Sequence, residues 1–302
     1  MKYDILLIGG NGFVGRVLAA QLQIEGYSVL LPTRHLAAAR ELRMLPKVHL
    51  EDADVHEFDS LQELCSRIKP SGAVINLVGV LHDKPAQPYG KLFEAAHVEL
   101  PKNIMTAMQL HGLKRYLHMS ALGADSKGPS MYQRSKGDGE AAVKVSNVDW
   151  TIFRPSVIFG AQDQFINLFA KLTKLFPAMP LANSAAQFQP VSVDDVASAF
   201  TKSLKMPSTI HQSYDLVGPT VYTMKEIVEF AARKVNTKCA IIPVPAFVGY
   251  LQALAFEFLP VPTLMSRDNI ASMQLPNILP LNGVDALTKV FGISRRTLEG
   301  MK

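Results

Sequence analysis

Three glycines near the amino terminus, in "ILLIGGNGFVGRVLAAQL", have the spacing that holds a dinucleotide pyrophosphate. Gly9 permits a sharp turn, Gly12 lets the main chain approach a phosphate, and Gly15 lets the next helix pack close to its sheet. A helix that follows Asn11 and starts around Phe13 and Val14 presents unpaired N–H groups and its positive dipole end to that phosphate. Further on, "VLLPTRH" supplies Thr33 and Arg34 and no carboxylate. An acid there would bond a ribose 2′-hydroxyl, whereas the planar fork of Arg34 pairs with a 2′-phosphate, so NADP(H) is preferred over NAD(H). The other use for Arg34 is stacking on adenine, which serves either cofactor. A second pattern, Tyr132-Gln-Arg-Ser-Lys136, is the one Tyr-x3-Lys pair in the chain and puts both side chains on one helix face.

These residues need a strand, a turn and two helices in fixed places. The runs "DILLIG" (4–9), "YSVLLPT" (27–33), "VHLEDADV" (48–55), "AVINLVG" (73–79), "RYLHMSA" (115–121) and "WTIFRPSVIFG" (150–160) read as strands. Helical segments fall between them at 13–25, 60–68, 91–111 and 131–145. Apolar strands alternating with helices describe an α/β class, a doubly wound parallel-sheet Rossmann fold. After Gly160 the rhythm breaks. An amphipathic helix over 163–176 precedes a loop-like stretch at 177–190, a helix over 191–204 capped by its aspartates, and a late strand, "HQSYDLVG", at 211–218. The organisation expected is a dinucleotide-binding domain over 1–160, with 189–217 returning to it, and a small, discontinuous C-terminal substrate-side lobe from 161–188 and 218–302.

Composition narrows the classes. With 302 residues, 48% hydrophobic and 19% charged, the chain can bury a sizeable core, which excludes a disordered protein. Its two cysteines, Cys65 and Cys239, lie far apart with no histidine cluster nearby, so neither a disulfide framework nor a metal site is expected. The formal charge of +5 is scattered, with no run of four basic residues, so no nucleic-acid partner is expected; an anionic ligand or membrane surface accounts for the surplus equally well. The apolar stretch 241–264 contains Pro243, Pro245, Pro260, Pro262 and Glu257, which argues against a transmembrane span. It reads as a helix buried in the small lobe, or as an apolar helix making peripheral membrane or protein contact. With the first strand so close to Met1, no signal or transit peptide is expected, and the protein is expected in the cytoplasm, at the inner face of the membrane if it docks there.

The Gly9-x2-Gly12-x2-Gly15 spacing, together with Tyr132 and Lys136, resembles the short-chain dehydrogenase/reductase superfamily in its extended and atypical branches, over about residues 1–200. The resemblance implies that Asp54 and Val55 of "DADV" contact adenine, and that Leu77, Val78 and Gly79 of "NLVG" lie beside the ribose. It makes Tyr132 the proton donor or acceptor at a substrate carbonyl, with Lys136 holding the nicotinamide ribose and lowering the Tyr pKa. Two other members of the usual tetrad depart from the pattern. Ser120, the third catalytic candidate, aligns with a strand-end Ser while Leu122 takes the active position, and His97 of "HVELPKNI" stands where the helix Asn would be. The preferred reading of His97 is a satisfied structural histidine, ahead of one that bonds a carbonyl or water in the Asn's place.

"FRPSVIFGAQDQFIN" and "QPVSVDDVASA" (189–199) resemble the group containing the nucleotide-binding accessory subunit of respiratory complex I and its bacterial relatives, and the chain looks like a free-standing bacterial relative. By that resemblance Pro155 and Ile158 border the nicotinamide, and Asp163 and Phe165 open the substrate-side lobe. Two functions follow. One is an NADP(H)-dependent oxidoreductase acting on a quinone or isoprenoid-like molecule; the other is a non-catalytic, NADPH-stabilised binding or assembly protein docking on a membrane-associated complex. The intact Tyr-Lys pair favours the first and the missing Ser and Asn favour the second. A nucleotide-sugar epimerase or dehydratase, which would keep both, ranks third.

Overall fold

Parallel strands pairing edge to edge form the centre of the computed structural model, which describes residues 2–245, 247–250 and 266–301. β1 (Tyr3–Ile8), β2 (Val29–Thr33), β3 (Val48–Asp52), β4 (Ile68–Asn76), β5 (Arg115–Met119) and β6 (Asp149–Pro155) belong to this sheet. β7 (Ile158–Phe159), β8 (Ala178–Ala182), β9 (Gln187–Phe188) and β10 (Val191–Ser192) lie outside it, and β11 (Gln212–Leu216) returns as its seventh strand. The order is β11-β6-β5-β4-β1-β2-β3, so the direction of winding reverses between β1 and β4. That reversal opens a crevice at the carboxyl ends of these two strands.

Period-two alternation sends Ile5 and Leu7 into one apolar layer and Leu6 and Ile8 into the other. The first layer packs α1 (Phe13–Ile24) and α7 (Val193–Ser203) through Leu18, Leu22, Val196 and Phe200. The second packs α2 (Phe58–Ser66), α4 (Leu100–Leu110) and α5 (Met131–Lys144) through Leu64, Ile104, Met108 and Val143. Each such fully buried side chain contributes about 1.5–3 kcal/mol. A third core joins α6 (Phe165–Leu175) to α8 (Met224–Lys234) through Phe169, Ile227 and Val228.

Three sequence expectations need correction. The stretch 177–190 is not a loop: β8 pairs with β13 (Ala240–Val244) and β9 with β12 (Tyr222–Thr223). Pro180 in β8 hid this, because a proline is tolerated only where its missing N–H is not required. The run 150–160 divides into β6 and a separate β7, which pairs with β10. The aspartates of α7 do not cap it: Ser192 holds the N-cap position, and buried Asp195 accepts the main-chain N–H and the Nη1 of Arg296, both at 2.8 Å. Of the apolar segment 241–264, residues 246 and 251–264 lie outside the described residues.

The helical run expected over 91–111 is composite. α3 (Lys91–Phe93) leads into a wider π turn, Glu94–Glu99, before α4, and the Leu100 N–H bonds the Ala95 carbonyl five residues back. Pro101 supplies the reason, since it has no N–H to give the His97 carbonyl four residues earlier. That carbonyl is turned toward α5, where a Cβ on Gly139 would overlap its oxygen. The site helix therefore approaches the π turn main chain to main chain. Gly139→Ala is expected to lower unfolding stability in urea by about 1–3 kcal/mol with an unchanged m-value; an unaffected midpoint would show that the two helices do not need this approach.

Candidate functional site

At the β1 end of the crevice, Gly9 adopts φ +79°, a conformation that ordinary side chains resist, and the Gly12 N–H bonds the Gly9 carbonyl at 3.1 Å. α1 starts with Gly12 at its N-cap, no side-chain cap and no acid in its first turn. The N–H groups of Phe13, Val14 and Gly15 therefore have no side-chain acceptor, and the loop fits a phosphate by geometry and charge. A Cβ on Gly15 would overlap the main chain of Gly10, two residues past the end of β1, so the first turn of α1 lies directly against the strand end. Asn11 is bound within the protein, its carbonyl to Arg16 Nε at 3.0 Å and its Oδ1 to Arg16 Nη2 at 2.8 Å.

Along the edge, at the end of β2, the buried Thr33 hydroxyl accepts the His35 N–H at 3.1 Å. Arg34 is exposed, with one loose ion pair to Asp54 at 3.5 Å. The other Asp54 oxygen accepts the His56 N–H, and Val55 packs against the apolar layer under β1. Arg16 was missed in the sequence, yet it joins the glycine loop to the segment after β2: besides Asn11 it reaches the Ala38 carbonyl at 2.6 Å and Glu41 at 3.1 Å. With these bonds its fork is committed, which leaves Arg34 as the exposed guanidinium beside Thr33.

At the β4 end, Leu77 bonds the Ile8 carbonyl through its N–H, and the Val78 N–H goes to the side chain of Asn76, itself held by the Tyr116 hydroxyl. Gly79 faces α5. A Cβ placed on it would meet Lys136 Nζ at 3.3 Å and His97 Nε2 at 3.7 Å. Lys136 is buried and donates to the Met119 carbonyl at 3.2 Å. Burial pushes its ammonium down to about 8, against Glu140, which raises it. Tyr132, half-buried one turn earlier, is pushed up to about 12 by burial and keeps its proton at neutral pH.

His97 is satisfied rather than free. Its Nε2 accepts the Val80 N–H at 3.1 Å, so the proton sits on Nδ1, which donates to Ser135 Oγ at 2.8 Å. Ser135 passes its own proton to the Tyr132 carbonyl at 3.0 Å. Burial, helped by Lys136 and His118, holds the imidazole far below its usual pKa, so it is neutral. The ring meets Tyr132 edge-on at 5.6 Å. His97 thus fastens the Gly79 loop to the turn of α5 between Tyr132 and Lys136.

Ser120 is buried on the Glu140 side, and its hydroxyl has no partner at hydrogen-bond distance. Burial raises the Glu140 carboxyl, but Arg154, with Nε at 2.7 Å, and Lys144, at 3.0 Å, outweigh it and keep the group ionised. Leu122 and Pro155 meet through a main-chain bond at 2.9 Å, and Ile158 pairs with Val191 where β7 begins. Asn277 ties this corner to the C-terminal segment, accepting from Ser156 at 2.6 Å and donating to the Leu122 carbonyl at 3.2 Å. Asp163, one residue before the Gln164 N-cap of α6, accepts the Ile166 N–H at 2.6 Å, and Phe165 packs on Phe169 and Phe188. No group of residues able to hold a metal, and no helix long and apolar enough to cross a membrane, occurs among the described residues.

Comparison with known proteins agrees with this architecture. The model of the NAD dependent epimerase/dehydratase family matches residues 5–217. NADH dehydrogenase (ubiquinone) 1 alpha subcomplex subunit 9 of Mus musculus is 28% identical over 91% of this chain and 72% of its own length. Its counterpart from Arabidopsis thaliana is 27% identical over 92% of this chain and 71% of its own. In fold, UDP-glucose 4-epimerase of Thermus thermophilus, solved with NAD, superposes with a TM-score of 0.68 at 18% identity, covering 89% of this chain and 98% of its own.

The buried ammonium makes a prediction about stability. Its folded pKa of about 8 lies below the ordinary value of 10.5. Below pH 8 both states carry the proton and the burial penalty is complete; between the two values the unfolded chain holds more proton, so stability rises with pH. Lys136→Met is therefore expected to stabilise the cofactor-free protein at pH 7 by on the order of 3 kcal/mol. That advantage should fade as pH climbs through 8 to 10.5, as read by urea unfolding of both proteins across the range. A destabilised variant at pH 7 would show that the Lys136 ammonium contributes more than its burial costs.

Proposed function

The chain belongs to the NAD dependent epimerase/dehydratase family, and we propose that it is an NADP(H)-binding oxidoreductase of the atypical short-chain type acting on a quinone or isoprenoid-like carbonyl compound. One observation carries the reading: the uncapped start of α1 and the buried ammonium of Lys136 converge on a single crevice, with the protonated Tyr132 one helical turn from that ammonium. Gly9, Gly12, Phe13, Val14 and Gly15 would hold the pyrophosphate, with Asn11 shaping their loop. Thr33, Arg34, Asp54 and Val55 would line the adenosine end. Leu77, Val78, Gly79, Lys136, Pro155 and Ile158 would surround the nicotinamide riboside.

A bound nicotinamide dinucleotide supplies the hydride chemistry. Tyr132, protonated at neutral pH, donates a proton to the substrate oxygen, which favours the reductive direction. Lys136 fixes the ribose and places a positive charge one turn from the phenol. Residues 161–188 and 218–245, joined by the core between α6 and α8, form the substrate-side lobe, and the protein works in the cytoplasm at the inner face of the membrane. The quinone class finds support in the relatives, whose names describe ubiquinone-linked dehydrogenase subunits.

A second reading has its own observation. The Ser120 hydroxyl is buried beside Glu140 and Leu122 stands at the position expected to bind a carbonyl, which suits a non-catalytic, NADPH-stabilised assembly protein. Two measurements decide. NADPH is expected to raise the melting temperature more than NADH does, and Arg34→Ala should remove that difference; a difference that survives rules out Arg34 as its source. Consumption of NADPH with a panel of quinones should fall at least about a hundredfold in Tyr132→Phe. Tight NADPH retention without turnover in the unsubstituted protein would replace the enzyme reading with the second.

A further inference from the structure

The first turn of α5 carries more anchoring than a helix start needs. Ser130 already forms a capping box there, its hydroxyl accepting the Gln133 N–H at 3.1 Å. The two preceding N–H groups, of Met131 and Tyr132, go to the two oxygens of one carboxylate, Asp268, at 2.6 and 3.0 Å. Asp268 is more than a hundred residues away in sequence, on the short helix Arg267–Ser272. That helix is set by its own capping box, Ser266 with Asn269. A charged acceptor on two main-chain donors at a positive helix end is a strong, directional link.

The link also stands beside open space. Asp83, Met131, Arg134, Tyr250, Asp268 and Ala271 are among the residues lining a cavity of about 420 Å³ at this end of α5. Other charges around it are committed to the protein: Asp83 accepts the Phe93 N–H at 2.8 Å, and Arg134 reaches the carbonyls of Pro88, Gly128 and Pro129.

We infer that Asp268 is a positioning residue for Tyr132, tying the turn that carries the phenol to the C-terminal helix so that Tyr132 is set only while that helix is seated against α5. The inference rests on the role proposed for Tyr132. It adds that the state of the C-terminal segment, and whatever enters the adjoining cavity, is felt at the proton donor.

Native-state amide exchange on the full-length protein tests it without requiring a substrate. In the unsubstituted protein, Met131 and Tyr132 should exchange together with Ile270 as denaturant is raised, while Gln133, capped locally, exchanges more slowly. Met131 and Tyr132 staying protected after Ile270 has opened would overturn the clamp, and this comparison decides even if the variant fails to fold. In Asp268→Asn the same two amides should exchange roughly tenfold faster or more. The ring signals of Tyr132 should shift while those of Tyr116 stay, a change that a merely structural cap would not produce. Unmoved Tyr132 signals would overturn the inference. NADPH titration separates this result from the cofactor reading: affinity in Asp268→Asn should remain within about threefold of the unsubstituted protein, and a far larger loss would count against a local role. If the unsubstituted protein binds no NADPH, the cofactor reading falls and the exchange rates alone judge the clamp.

Discussion

A lysine ammonium held out of water at the carboxyl edge of the sheet is the constraint around which the rest of the site is arranged. Burying Lys136 costs enough to pull its pKa down to about 8. The surroundings are organised to tolerate that charge. Met119 offers a carbonyl, and Glu140 supplies a negative charge one turn along the same helix. Arg154 and Lys144 keep Glu140 ionised, so the compensation is itself supported. Nearby imidazoles stay neutral: burial and Lys136 depress His97, and burial brings His118 down to about 3. A second buried cation beside Lys136 would be far harder to accommodate. Such an arrangement, unfavourable for stability alone, is what a group kept for binding or chemistry looks like.

α5 is held from three sides in consequence. The π turn forced by Pro101 brings His97 against it, through its carbonyl at Gly139 and through its ring to Ser135. Below, Arg154 on β6 bonds Glu140. At its head, Ser130 and Asp268 take the free N–H groups. A helix fixed in this way keeps Tyr132 and Lys136 in register with the crevice between β1 and β4. Side chains that look decorative in sequence, Pro101 and Gly139 above all, are the ones that permit the approach.

The two ends of the crevice differ in how firmly they are built. The glycine-loop end is tied down: Arg16 spends its donors on Asn11, Ala38 and Glu41, and so joins the glycine loop to the segment after β2. The end beside β2 keeps one exposed guanidinium, Arg34, opposite Asp54. A glycine loop fixed in this way at an uncapped helix start is a cradle that fits a dinucleotide pyrophosphate. The membership of the chain in a family described as NAD dependent agrees with the cradle. The relatives named for a respiratory dehydrogenase match it in sequence over 91–92% of this chain and 71–72% of their own.

Local pattern was enough for the elements. Apolar runs with period two, helical spacing and the glycine turn are short-range properties, so the parallel sheet, the first helix and the Tyr132–Lys136 face could be read directly from the residues. Strands interrupted by proline, such as β8, could not, because their partners lie far along the chain and pairing there overrides local preference. The aspartates of α7 looked like caps by position, but Asp195 is claimed by Arg296, a hundred residues later. The same physics separates the legible part of the site from the rest. Which loop is shaped to fit a phosphate follows from local main-chain geometry. How deeply Ser120 is buried, how Lys136 is compensated, and that Asp268 reaches Tyr132 depend on contacts between distant segments, and only the packed tertiary structure decides them.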